Sequence, residues 1–142
     1  MSTYLIDTGF LYALINENDS NHRAVLEAKT YINGEIFLPV PAITEVCYFL
    51  SRNLGVSVLA EFLNDLSTTD NLSLETPLSE DYKRTADILR QYNDNNIDFV
   101  DACIVAIAER LNITKILTID HRHFRAFRPN HCGSFELIPG KL

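Results

Sequence analysis

NIDFVDACIVAIAERLNITKILTIDHRHF, residues 96–124, holds a carboxylate pair, a long apolar helix, a turn, a short strand and a further carboxylate in one continuous piece. Asp98 and Asp101 stand three apart, a spacing that puts both on one face of a helix. The helix they open runs through Ala102, Ile104, Val105, Ile107, Ala108 and Leu111. Its apolar side is wide, as in a helix covered by both a sheet and other helices. Asn112 is the expected stop, and Lys115 to Ile119 reads as a short buried strand. Asp120 follows at the carboxyl end of that strand, where sites form in open α/β sheets.

Working outward, Thr3 to Ile6 reads as a strand that ends at Asp7, and Thr8-Gly9 turns the chain into a helix over Phe10 to Ile15. A second helix is expected over His22 to Ile32, closed by Asn33-Gly34. Ile36 to Val40 is a second buried strand. The helix after it begins near Pro41, with Thr44-Glu45 in its first turn. Asn53-Leu54-Gly55 breaks it, and Val56 to Leu66 follows with Val58, Leu59, Phe62, Leu63 and Leu66 as its core stripe. Asn71 to Glu75 alternates as an edge strand. Ser79 to Tyr92 is a helix with Tyr82, Ala86, Ile88 and Leu89 turned inward, and Asn93 to Asn96 is a loop. Phe135 to Ile138 is the last strand. The order β-α-α-β-α-α-β-α-α-β-β predicts a mainly parallel sheet with helices on both faces. No linker, repeat or low-complexity tract interrupts it, so residues 1–142 are expected to form a single domain.

The chain of 142 residues is long enough for a real core. No apolar run approaches the roughly 20 residues of a membrane span, and no signal peptide is read at the N-terminus. Cys47, Cys103 and Cys132 are an odd number without metal-like spacing, and Cys47 and Cys103 fall in apolar helical patterns as core residues. A reducing, cytoplasmic setting is expected. The net charge of −7 excludes a generic nucleic-acid binder, which is basic, but not an enzyme that meets nucleic acid through a metal and a local basic patch.

Each acid has a mundane explanation when taken singly. Asp7 suits a helix N-cap, Glu45 suits the positive end of a helix dipole, and Asp98 with Asp101 is a capping-box variant. As a set they say more. In a parallel sheet Asp7, Glu45 and Asp120 fall on the edge where the strands end, and the helix opening at Asp98 starts at the same edge. Crowded carboxylates repel and raise one another's pKa. A hard divalent cation such as Mg²⁺ or Mn²⁺ removes that conflict. The implied chemistry is metal-assisted attack of water on a phosphodiester.

Four pieces carry a family resemblance: Leu5-Ile6-Asp7-Thr8-Gly9-Phe10, Thr44-Glu45-Val46, Phe99-Val100-Asp101-Ala102, and Leu117-Thr118-Ile119-Asp120 with His123-Phe124. Their order and spacing resemble the PIN-domain ribonucleases, specifically the VapC-like toxins of toxin–antitoxin pairs, over nearly the whole chain. The resemblance implies a PIN-like three-layer α/β/α sandwich with a parallel sheet of about five strands. It also implies a Mg²⁺- or Mn²⁺-dependent endoribonuclease with a cognate antitoxin, and usually a homodimer. By the same resemblance Asp7 and Asp101 are the principal metal ligands. Glu45 holds metal-bound water or a second metal, and Asp120 is a ligand or orienter. Thr8 supports the first acid. Thr118 stands where some relatives carry a further acid, which leaves one metal or two open, and Asp98 is the candidate substitute.

His121 to His131, HRHFRAFRPNH, follows Asp120 with three Arg, three His and no acid. Arg122, Arg125 and Arg128, with His123, are the expected RNA-binding residues, because the guanidinium fork suits phosphate; a solvated or antitoxin-contacting face is the equal alternative. His121 and His123 can also be read as metal ligands or general acids, but solvated or phosphate-facing roles are expected, because oxygen donors suit Mg²⁺ better than imidazole. Phe124 and Phe127 suit core packing, with base stacking as the other reading. Tyr48, Phe49, Leu59 and Phe62 are expected on an apolar face that fits an antitoxin helix or a second copy. The alternatives are a catalytically inactive PIN-like module that only binds RNA or a partner, a DNA-directed nuclease of the same fold, and a receiver-like phosphoacceptor. The last wants an early acidic pair and a Lys after the last strand; here Asp7 stands alone and Lys141 lies in the tail.

Overall fold

The structure, a computed structural model, describes residues 1–141. Five strands form one sheet in the order β3-β2-β1-β4-β5, and every pairing is parallel. They are β1 (Ser2–Ile6), β2 (Gly34–Pro39), β3 (Leu72–Glu75), β4 (Lys115–Leu117) and β5 (Glu136–Ile138). The helices are α1 (Thr8–Ile15), α2 (His22–Lys29), α3 (Val40–Leu54), α4 (Val56–Leu66), α5 (Ser79–Gln91), α6 (Phe99–Leu111) and α7 (His121–Ala126), with a 3-10 turn at Asn93–Asn95. Successive strand residues point to opposite faces of a sheet. Tyr4, Leu5 and Ile6 are all buried, as are Ile116, Leu117 and Thr118, so helices cover the sheet on both sides. This is the expected three-layer α/β/α architecture.

Helix α6 is built as its sequence implies. Asp98 is its N-cap and accepts from Asp101 N–H at 2.9 Å, while Asp101 Oδ2 accepts from Asp98 N–H at 3.3 Å. Asn112 ends the helix in the left-handed region at φ 55°. Every residue from Val100 to Ala108 is buried, so the helix is enclosed rather than amphipathic. Arg84 and Arg110 fix it to its surroundings. Arg84 grips Glu109 with two hydrogen bonds of 2.7 and 3.1 Å, and Arg110 joins Glu75 at 2.7 Å to Asp81 at 2.9 Å.

Several boundaries differ from expectation. Helix α2 stops at Lys29, three residues short of Ile32, because the chain must turn into β2 at Gly34. A Cβ there would overlap the Ser2 carbonyl, and φ is +143°, which glycine alone tolerates easily. Strand β2 ends at Pro39 and α3 already starts at Val40, so Glu45 sits in the second helical turn rather than the first. In α4 only Phe62 of the expected stripe is buried, and Leu63 is exposed; two-helix packing at the edge leaves the rest half-covered. Tyr82 is likewise exposed, and stacks on Phe99 with ring centroids 6.4 Å apart. Cys103 is buried but Cys47 is only half-buried.

The largest difference is α7, where the expected order ran from strand to strand. Asp120 caps it, accepting from His123 N–H at 3.2 Å. Phe124 and Phe127 are completely buried. Phe124 packs edge-on against Phe127 and Phe135, and Phe127 against Tyr92. Core packing therefore accounts for both phenylalanines, and this aromatic cluster anchors the segment that carries Asp120 and His123.

Candidate functional site

The site grows from the ends of the two central strands. Asp7 N–H donates to Leu117 O at 2.9 Å, which ties the end of β1 to β4. The Asp7 side chain caps α1, with Oδ1 accepting from Thr8 N–H at 2.8 Å. Its other oxygen, Oδ2, accepts from the Thr118 hydroxyl at 3.0 Å. Thr118 is fully buried, and the same hydroxyl accepts from Asp120 N–H at 2.9 Å. One hydroxyl thus joins two acids that follow different strands. Gly9 lets α1 come close: a Cβ there would lie 3.0 Å from Ile119 Cγ1.

Asp7, Glu45, Asp98, Asp101 and Asp120 all line one cavity of about 630 Å³, together with Thr8, Tyr12, Phe49, Asn53, Asn96 and His123. No Lys or Arg is among the lining residues. Burial pushes the Asp7 carboxyl up to about 7, and the charges of Asp120 and Glu45 add to that, against the hydrogen bonds from Thr8 and Thr118. Burial also pushes Asp101 up to about 8, with Asp98, Asp7 and Asp120 as further repelling charges. The five acids are therefore brought together, but not equally. Asp101, Asp120 and His123 each bring a ligand atom within 4.8 Å of the other two, and neither Asp7 nor Glu45 belongs to that group. Asp7 stands close enough to feel Asp101, Asp120 and Glu45 as charges.

Three placements differ from the simplest reading of the sequence. His123 does not face outward to phosphate: its Nδ1 lies 2.8 Å from Asp120 Oδ2 and 3.5 Å from Asp101 Oδ2. Arg122, Arg125 and Arg128 are exposed and line no part of the cavity. Arg128 instead donates to the carbonyls of Arg125 and Phe127 at the end of α7. Arg122 and Arg125 lie three apart on α7 and are exposed while Phe124 between them is buried, and Arg128 lies beyond the end of the helix. On the expected apolar face Tyr48 is exposed, while Phe49 and Leu59 are half-buried and Phe62 is buried.

Buried carboxylates with no Lys or Arg beside them are costly. A divalent cation bound by oxygen donors relieves the cost, and the donor set here fits one. Asp101 and Asp120 present oxygens to the cavity, Asp7 and Glu45 flank them, and the buried Thr8 hydroxyl lacks a hydrogen-bond partner.

A family model for the PIN domain matches residues 4–128. The chain belongs to the PIN-domain family. Within it, Ribonuclease VapC26 of Mycobacterium tuberculosis is 30% identical over 135 residues, covering 95% of this chain and 99% of that one. Among solved structures, M. tuberculosis VapC20, a sarcin–ricin loop cleaving toxin, superposes with TM-score 0.78 at 18% identity, over 84% of this chain and 92% of that chain. A toxin–antitoxin complex from Klebsiella pneumoniae gives 0.68 at 17% identity, over 98% and 95%. These solved structures share the fold of this chain.

Some lining residues escaped the sequence reading. Tyr12, Phe49 and Asn53 form the wall beside the acids: Tyr12 and Phe49 meet edge-on at 5.8 Å, and Asn53 donates to the Tyr12 hydroxyl at 3.0 Å. The only sequence signal for Asn96 was its place in an Asn-rich turn, where it takes the left-handed conformation.

Thr118 gives a direct prediction for this PIN-domain site. Thr118→Val keeps the shape and the burial but removes both hydrogen bonds. Metal affinity is expected to fall by about 10–100-fold, measured by titration calorimetry, with the circular dichroism spectrum unchanged.

Proposed function

We propose that this chain is a Mg²⁺- or Mn²⁺-dependent endoribonuclease, acting as the toxin of a toxin–antitoxin pair. The observation that carries the reading is the pair Asp7 and Asp101: two buried carboxylates facing one cavity without Lys or Arg. Fold stability alone disfavours such a pair, and a cation-dependent reaction explains it. Asp7, Asp101 and Asp120 hold the ion, Glu45 orients the attacking water, and Asp98 acts first as the cap that aims Asp101. When bound, the ion polarises the phosphoryl group and lowers the pKa of water. Thr8 and Thr118 are positioning residues for Asp7.

RNA is the substrate we assign, by likeness to the VapC ribonucleases. A cavity of about 630 Å³ is far larger than an ion requires, and the Tyr12–Phe49–Asn53 wall offers a nucleotide an apolar face beside amide groups. We further propose an antitoxin partner and a homodimer. Tyr48, Tyr82 and Phe99, exposed around one apolar groove, are the surface for such contacts. A cytoplasmic, single-domain protein is the natural setting; no helix among the described residues is long and apolar enough to cross a membrane.

The test is digestion of a mixed RNA pool by the purified chain with Mg²⁺, with Mn²⁺ or with EDTA. Internal cuts that need the metal and vanish in EDTA support the proposal. An intact pool under all three conditions, with RNA still bound, supports a binding module instead.

A further inference from the structure

The tightest group of metal-ligating atoms among the described residues is an oxygen of Asp101, an oxygen of Asp120 and a ring nitrogen of His123, all within 4.8 Å of one another. His123 Nδ1 is 2.8 Å from Asp120 Oδ2 and 3.5 Å from Asp101 Oδ2, yet it is buried and aligned for a hydrogen bond with neither. Buried nitrogens are rarely left so. Neighbouring ligands on an octahedral ion with bonds of about 2.1 Å lie about 3.0 Å apart, and the two observed separations bracket that value. The ring has little freedom to turn away. The His123 backbone N–H donates to Asp120 Oδ1, and the next residue, Phe124, is locked in the core.

We propose that His123 Nδ1 is itself a metal ligand, completing a set with Asp101 and Asp120 and biasing the site toward Mn²⁺ and later first-row ions over Mg²⁺. Carboxylates and water suit Mg²⁺ and Mn²⁺ alike. An imidazole nitrogen adds affinity for the transition ion and little for the hard Mg²⁺. The inference deepens the function proposed above and rests on its cation site. It differs from a purely positioning role, in which His123 orients Asp120 and both ions depend on it equally.

The experiment is pulsed electron paramagnetic resonance of Mn²⁺ bound to the full chain, with titration calorimetry of Mn²⁺ and Mg²⁺ on the wild type, His123→Ala and His123→Gln. A nitrogen coupling in the wild-type Mn²⁺ spectrum is expected, lost in both variants. Mn²⁺ affinity should fall at least about tenfold in the variants, while Mg²⁺ affinity stays within about twofold. Bound Mn²⁺ with no nitrogen coupling overturns the inference and leaves the nuclease reading standing. So does a coupling that persists in the variants, or an equal loss for both ions. A wild-type spectrum without the coupling refutes ligation by itself, and two variants are used so that the assignment to His123 does not depend on one that folds poorly. A wild type that binds neither ion, and cuts RNA equally well in EDTA, overturns both readings.

Discussion

Asp7→Asn is expected to abolish RNA cleavage, by about a thousandfold or more, while making the metal-free protein more stable. The two effects have one cause. Asp7 is buried, and its carboxyl is pushed from an ordinary 3.8 up to about 7. Holding the charge in that position above neutral pH costs roughly 4 kcal/mol, at 1.36 kcal/mol per pKa unit. Asparagine has the same shape without the charge. Its oxygen still accepts from Thr8 N–H, and its amide reaches the Thr118 hydroxyl, which has a second lone pair to accept with. Thermal melting in EDTA at pH 8 should therefore show a higher midpoint for Asp7→Asn. A variant that loses both activity and stability would mean that Asp7 is chiefly a helix cap. A variant that keeps full activity would remove Asp7 from the reaction.

The second large effect is on the pH dependence of the metal-free fold. Asp7 and Asp101 both have folded pKa values above the ordinary carboxylate value, by burial first and by neighbouring charges second. The folded state then holds protons more tightly than the unfolded chain. Their penalty is absent below about pH 4 and grows as pH rises, reaching its full size above about 8. Glu109 works in the opposite direction. Burial raises its pKa, but the hydrogen bonds from Arg84 and the Asn130 N–H, with the charges of Arg84 and His131, together outweigh that and leave it lowered, so its stabilisation is lost in acid. The metal-free chain should melt highest near pH 5 and several degrees lower at pH 8. Saturating Mn²⁺ should reverse the trend above pH 7, adding about 2.7 kcal/mol at a hundred times its Kd. Melting curves in EDTA that are flat from pH 5 to 8 would contradict this.

Much of this was legible before any coordinates. The period of α6, its Asp98 cap and its Asn112 stop are local signals, and local signals survive folding. The parallel sheet follows from alternating strands and helices, and with it the shared edge that gathers Asp7, Glu45, Asp101 and Asp120. What failed depends on tertiary context. Helix α7 is six residues long, too short to show a period, and its existence depends on Phe124 and Phe127 finding the aromatic cluster. Without that helix the basic run read as one unit beside Asp120, whereas α7 leaves Arg122, Arg125 and Arg128 exposed and brings His123 against Asp120 and Asp101. Tyr82 fits a helical core pattern, yet it is exposed and stacks on Phe99, which is exposed too. The Thr118 bridge joins residues 111 positions apart, and no sequence period reaches that far.

The central claim is that these carboxylates share one divalent cation, and calorimetric titration of Mn²⁺ tests it most directly. The metal-free wild type and Asp101→Asn are compared at pH 7 and pH 9, each in two buffers of different ionisation enthalpy. The wild type should bind with release of about one proton at pH 7, because Asp7 and Asp101 then still hold protons that the ion displaces, and almost none at pH 9. Asp101→Asn should bind far more weakly. Binding without proton release at pH 7, or binding undiminished in Asp101→Asn, would place the ion somewhere other than among these acids.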